Sequence, residues 1–146
     1  MYQLPEQLVQ ETGDSLVYCP KRVLVSKEFT FDAAHHLFAY DGKCQALHGH
    51  TYRLQIAVTG FLDQRGLSVD FGDLKAIYQA HLEPLLDHRY LNEMLPYMNP
   101  TAENMVYWLY KTVEAHLPKN DQKFEMAFVR LYETPTAYAE FRKEWD

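Results

Sequence analysis

One stretch constrains this chain more than any other: residues 50–60, HTYRLQIAVTG, where large apolar side chains recur at every second position. Tyr52, Leu54, Ile56 and Val58 fall on one face, and Thr51, Arg53, Gln55 and Thr59 on the other. A period of two belongs to a strand that buries one side and wets the other, so the fold must contain a sheet with a single core face. Residues 22–31 (RVLVSKEFTF) alternate as well and are rich in β-branched and aromatic residues, which predicts a second strand. Residues 33–47 read as irregular, with Asp41-Gly42 as a turn signal, and residues 61–66 as a hairpin connection into a short strand at 67–69. A helix then starts at Asp70 or Gly72, carries Leu74, Ile77, Tyr78 and Leu82 at helical spacing, and meets its last turn or a break at Pro84. A second helix starts in Asn99-Pro100-Thr101-Ala102-Glu103, with Thr101 as N-cap and Met105, Val106, Leu109, Val113 and Leu117 as its apolar stripe. Residues 124–132 and 137–141 are two further strands.

The resulting order, β-β-α-α-β-β, predicts an α+β fold: an antiparallel four-stranded sheet with two helices on one face. Residues 1–21 read as an extension with at most a short helix at 6–10, and residues 22–146 as one domain, which suits a chain of 146 residues. Twenty acidic against 14 basic side chains argue against a nucleic-acid binder. No apolar run approaches the roughly 20 residues of a membrane span, and no N-terminal stretch has the form of a signal peptide. Cys19 and Cys44 are too few for a disulfide framework. A cytoplasmic protein is the expectation.

The chemistry concentrates in Cys44-Gln45-Ala46-Leu47-His48-Gly49-His50. If the strand extends back to His48, alternation puts His48 and His50 on the same face, with backbones roughly 6–7 Å apart. Two ring nitrogens can then converge on one ion, and a catalytic zinc takes three protein ligands and keeps one open position. The His35-His36 pair after the first strand can supply the third. Cys44 has three readings: a small buried hydrophobe, a thiolate base beside a cation, or a fourth ligand closing a structural Cys-His₃ site. Asp87-His88 is either a carboxylate-oriented imidazole that relays protons or a capping carboxylate beside a surface histidine. Glu133, at the end of an apolar strand, is a strand-end residue or a pocket carboxylate suited to a guanidine-like edge. His81 and His116 lie on amphipathic helices and read as solvent-facing or packing residues.

Six pieces in this order resemble the 6-pyruvoyltetrahydropterin synthase family. They are Phe29-Thr30-Phe31-Asp32-Ala33-Ala34-His35, Cys44-x-x-x-His48-Gly49-His50, Val69-Asp70-Phe71-x-x-Leu74-Lys75, Leu86-Asp87-His88-x-x-Leu91-Asn92, Asn99-Pro100-Thr101-x-Glu103-Asn104 and Glu133-Thr134. The three-residue gap between Cys44 and His48 is similar to the family's bacterial 6-carboxy-5,6,7,8-tetrahydropterin synthase branch, of the queuosine pathway. The resemblance implies His35, His48 and His50 as zinc ligands, with His36 set aside. It implies Cys44 as the proton-abstracting residue, Asp87 and His88 as its relay, Glu133 as the pterin anchor sometimes grouped with that relay, and Thr101 and Glu103 as pocket lining. Lys27 is the candidate cation for a triphosphate. The implied fold is the tunnelling fold, in which three subunits close their sheets into a barrel and two trimers stack as a homohexamer. The implied substrate is 7,8-dihydroneopterin triphosphate, converted to the 6-carboxy product or, alternatively, to 6-pyruvoyltetrahydropterin. A zinc-stabilised, non-catalytic oligomerisation module is the alternative from another class.

Overall fold

The computed structural model describes residues 16–42 and 45–146. The expected helix at 6–10 and the thiol of Cys44 lie outside the described residues. The two alternating segments form long partners, β1 (Val23–His35) and β2 (His48–Gly60), which pair antiparallel over their whole length, from Val23 opposite Gly60 to His35 opposite His48. β1 therefore runs through Ala33–His35, where irregular chain was expected, because each of those residues finds a partner on β2.

The sheet has five strands rather than four, in the order β3-β1-β2-β4-β5. The additional strand is β3 (Arg89–Tyr90), two residues that pair in parallel with Ala33 and Ala34. So short a strand has no periodicity to read, and it exists only because β1 offers it an edge. β4 (Glu125–Thr134) and β5 (Ala137–Arg142) complete the antiparallel part. The expected strand at 67–69 does not form. Leu67 turns its carbonyl to the backbone N–H of Asp63 (2.7 Å) and to the Gln122 side-chain amide (2.8 Å), so no neighbouring strand is needed to satisfy it.

The first helical stretch has three parts. α1 (Phe71–Ile77) is capped by the Asp70 carboxylate, which accepts from Gly72 N–H at 2.7 Å. It widens into a π-helical turn (Tyr78–Leu82) and restarts as α2 (Glu83–Leu86), with Pro84 in the first turn. Proline has no N–H, and its ring clashes with the carbonyl four residues back. Widening the helix just before Pro84 removes that clash and leaves the chain helical through it. The short α3 (Leu91–Met94) follows β3, and α4 (Ala102–His116) starts as expected, with Thr101 Oγ1 accepting from Asn104 N–H at 3.1 Å.

Helices cover one face of the sheet. Phe31, Tyr52, Leu54, Ile56, Val129 and Leu131 from the strands meet Leu74, Leu82, Met105 and Leu109 from the helices, all nearly inaccessible. Each such aliphatic side chain contributes about 1.5–3 kcal/mol when removed from water. Phe31 stacks on its cross-strand neighbour Tyr52 at 4.9 Å between ring centres, which carries the core to the end of the sheet where β1 finishes and β2 begins. None of the described helices is long and apolar enough to cross a membrane.

Candidate metal centre and active site

Register puts the three histidines together. His35 stands opposite His48, and Ala33 stands opposite His50, so all three imidazoles share the core-facing side at one end of the β1–β2 pair. His35 is fully buried and the other two are half-buried. One ligand atom from each lies within 4.8 Å of the others.

Hydrogen bonding fixes which nitrogens are available. His35 Nδ1–H donates to the Pro100 carbonyl at 2.8 Å, with the Tyr52 hydroxyl 3.3 Å from the same nitrogen, and His48 Nδ1–H donates to the Ala46 carbonyl at 2.7 Å. A carbonyl can only accept, so both Nε2 atoms are left as lone pairs, and they face each other at 3.0 Å. Two lone pairs at that distance repel unless a cation or proton sits between them. Among the described residues His50 Nε2 is buried without a hydrogen-bond partner, 3.5 Å from Glu133 Oε1. Three imine nitrogens converging on one point fit a metal ion, and the carbonyl bonds behind two of them orient the rings as metal-binding histidines require.

Burial lowers the affinity of His35 and His50 for protons, outweighing the opposing pull of the Glu133 carboxylate. Both rings therefore stay neutral and able to ligate where an ordinary histidine begins to charge. The unfolded chain takes up these protons near 6.5, and the folded chain only at lower pH. Stability is thus fully present above the unfolded value and is lost as pH falls through the folded ones. Chelator-treated protein is expected to lose stability as pH drops below 6.5, before the carboxylates of Asp87, Glu125 and Glu140 begin to protonate. Denaturant titrations from about pH 8 to 5 measure it, and a flat profile contradicts it.

Glu133 owes its position to an irregularity in β4. The pairing with β5 slips between Tyr132 and Thr134, leaving Glu133 as the additional residue of a bulge. Bulges re-aim a side chain at a strand end, and here the carboxylate reaches His50. It also lines a groove of about 460 Å3 with His50, Thr51, Tyr52 and Thr134.

Asp87 and His88 lie between α2 and β3. Asp87 Oδ1 sits 3.0 Å from His88 Nδ1 and accepts from the backbone N–H of Asp32 at 3.1 Å. That N–H bond, and after it the His88 ring, holds the Asp87 carboxyl below the usual carboxylate range. His88 has a left-handed backbone (φ 58°), unusual without glycine, and its N–H donates to the Asp32 carbonyl at 2.6 Å. The exposed imidazole borders a groove of about 570 Å3 together with Asp32, Gly49, His50, Thr51 and Arg89. His50 borders both grooves.

Other sequence candidates are placed differently. Thr101 uses its hydroxyl as the α4 cap, and Glu103 is exposed in the first turn of that helix, while the preceding Pro100 carbonyl is what reaches His35. Lys27 lines a separate groove of about 270 Å3 with Lys75 and Tyr78. His36 turns its Nδ1 to the Tyr90 hydroxyl at 2.6 Å. His81 and His116 are exposed and stack on one another, ring centres 3.5 Å apart.

Several contributors were not assigned roles from sequence. Asn92 clamps the backbone of His36 through both ends of its amide (2.9 Å each), and Asn99 does the same for Phe38 (3.0 and 3.2 Å). Both asparagines stand in the recognised pieces, but an asparagine does not reveal a partner more than 50 residues away. Asp32 and Thr51, discussed below, share that difficulty.

The profile of the 6-pyruvoyl tetrahydropterin synthase family matches residues 24–144. The chain belongs to this family. Among its curated relatives, 6-carboxy-5,6,7,8-tetrahydropterin synthase of Haemophilus influenzae is 34% identical over 143 residues, covering 82% of this chain and 98% of that protein. The protein of the same name from Synechocystis is 41% identical over 107 residues, covering 65% and 78%. The solved structure of Caenorhabditis elegans 6-pyruvoyl tetrahydropterin synthase superposes with a TM-score of 0.74 at 22% identity, over 86% of this chain and 99% of that one. That likeness shows the family fold, an α+β arrangement on an antiparallel sheet. The family expected from the six pieces is the one matched.

Proposed function

We propose that this protein is a zinc-dependent 6-carboxy-5,6,7,8-tetrahydropterin synthase. It converts 7,8-dihydroneopterin triphosphate to the 6-carboxy product, acetaldehyde and triphosphate, in the queuosine branch of 7-deazapurine biosynthesis. The observation that carries this reading is the convergence of His35, His48 and His50 beside Glu133. The names of the Haemophilus and Synechocystis relatives support the carboxy product.

Zinc held by the three histidines would supply Lewis acidity to the hydroxyls of the substrate side chain. Glu133 grips the amino-pyrimidine edge through two parallel hydrogen bonds, which orients the side chain toward the histidines. Thr101 and Glu103 line the pterin pocket. Cys44 takes a proton from a side-chain carbon. His88, oriented by Asp87, relays protons for it. The ring gains two hydrogens while the side chain is oxidised to the carboxylate, and one water is consumed to balance the release of triphosphate, so no external redox partner is required. Lys27 is assigned to the triphosphate; in the single chain it lies in a different groove from His50, and a neighbouring subunit is needed to join them.

Residues 22–146 act as one domain after an extension, in a cytoplasmic homohexamer of two trimers. Among the described residues the sheet is open in the single chain: β5 has a free edge, and β1 is covered only at Ala33 and Ala34. Long uncovered edges invite pairing, and barrel closure between subunits satisfies them. A stable monomer at micromolar concentration contradicts that assembly. The second reading, 6-pyruvoyltetrahydropterin formation, is the activity for which the matched family is named. Incubation with 7,8-dihydroneopterin triphosphate, mass analysis of the pterin and an acetaldehyde assay decide between them. The carboxy product with stoichiometric acetaldehyde is expected; a pyruvoyl product, or no conversion, overturns the reading.

A further inference from the structure

Asp32 touches the Asp87–His88 pair through its main chain, but its side chain has a distinct place. It lies on the sheet face opposite the core, between inward-facing Phe31 and Ala33, and stands across from Thr51 in β2. Thr51 Oγ1–H donates to Asp32 Oδ1 at 2.5 Å, which fixes the carboxylate on the sheet. A carboxylate oxygen of Asp32, a carboxylate oxygen of Asp87 and a ring nitrogen of His88 all lie within 4.8 Å of one another. The other groups bordering this groove are Arg89, His50 and Tyr90, and Arg89 is tied by its Nε–H to the Pro84 carbonyl at 3.1 Å. The Asp87–His88 hydrogen bond needs only one carboxylate. The second, braced by its own hydroxyl donor, is left over.

We propose that Asp32 is a positioning residue for the relay: its Thr51-braced carboxylate faces the imidazolium that forms when His88 takes up a proton during turnover. This rests on the assignment of Asp87 and His88 as the relay. When His88 accepts a proton, positive charge appears on a ring already bonded to Asp87, and a fixed second anion stabilises that charge without moving. Because the main chain of Asp32 already binds Asp87 Oδ1 and His88 N–H, the carboxylate is held to the pair by the strand itself.

Asp32→Asn is the informative change, since it keeps the shape, the backbone bonds and an acceptor for Thr51 and removes only the charge. For a unit charge within about 5 Å at an exposed site, kcat is expected to fall about two- to fivefold. KM and zinc content should be unchanged, and the solvent deuterium effect on kcat should rise as proton transfer becomes more limiting. Asp32→Glu should restore most of the rate, and Thr51→Val should show a smaller loss in the same direction. A second readout does not depend on turnover. Acylation of His88 by diethyl pyrocarbonate at fixed pH, located by mass spectrometry with His88→Ala as reference, should be several-fold faster in Asp32→Asn. Wild-type kcat in Asp32→Asn together with an unchanged acylation rate overturns the proposal. If wild type fails to convert the pterin while acylation still responds to Asp32, the assigned reaction falls and the coupling of Asp32 to His88 stands.

Discussion

His48→Ala or His50→Ala is expected to bring bound zinc well below one per chain and to abolish turnover. Each histidine supplies one of three ligand atoms that lie within 4.8 Å of one another. His50 Nε2 is buried with no hydrogen-bond partner among the described residues, and the His35 and His48 lone pairs face each other at 3.0 Å. Losing an outer hydrogen-bond partner of a metal ligand lowers affinity by about 10- to 100-fold; losing the ligand itself removes a third of the protein donor set. His48 and His50 are better test positions than His35. Truncating His35 would also leave a cavity in the core and an unpaired Pro100 carbonyl, mixing metal loss with unfolding. Metal analysis of purified variants, with thermal unfolding as a control, reads the outcome. Full zinc occupancy in both variants would sink the assignment of the centre.

Cys44→Ala is expected to keep zinc, fold and pterin binding while turnover drops by about 10²–10⁴-fold, the range for deleting a positioned acid–base group. Cys44 lies outside the described residues, so this expectation rests on its place in the recognised sequence and on the donor set. Three imidazoles suffice to hold a catalytic zinc with one open position. Were Cys44 a fourth ligand, the same change would weaken zinc binding and destabilise the fold, because a structural metal contributes folding free energy directly. Metal content separates the two independently of activity. A zinc-depleted, destabilised variant would favour the closed structural site, and with it a non-catalytic module.

How much of this was legible from the sequence differs from element to element. The alternation of Tyr52, Leu54, Ile56 and Val58 is a local property, and it determined β2, its buried face and the shared face of His48 and His50. The Thr101 cap and the stripe from Met105 to Val113 determined α4 in the same way. The six short pieces determined the family, since their order along the chain is itself sequence information. Other features were decided only in three dimensions. The resemblance already singled out His35 over His36, but that His35 shares a face with His48 and His50 depends on β1 continuing to pair through His35. β3 exists because Ala33 and Ala34 present an edge, and the parallel pairing joins segments 56 residues apart. The π-helical turn answers Pro84 within a helix whose other positions must still reach the core. Glu133 reaches His50 because the β4–β5 register slips by one residue. Asp32 meets Asp87 and His88 because β1 runs beside the loop that carries them. Periodicity and capping act through neighbours along the chain and can be read from it directly. Register, bulges and long-range partners depend on how already-formed surfaces fit, which only packing decides.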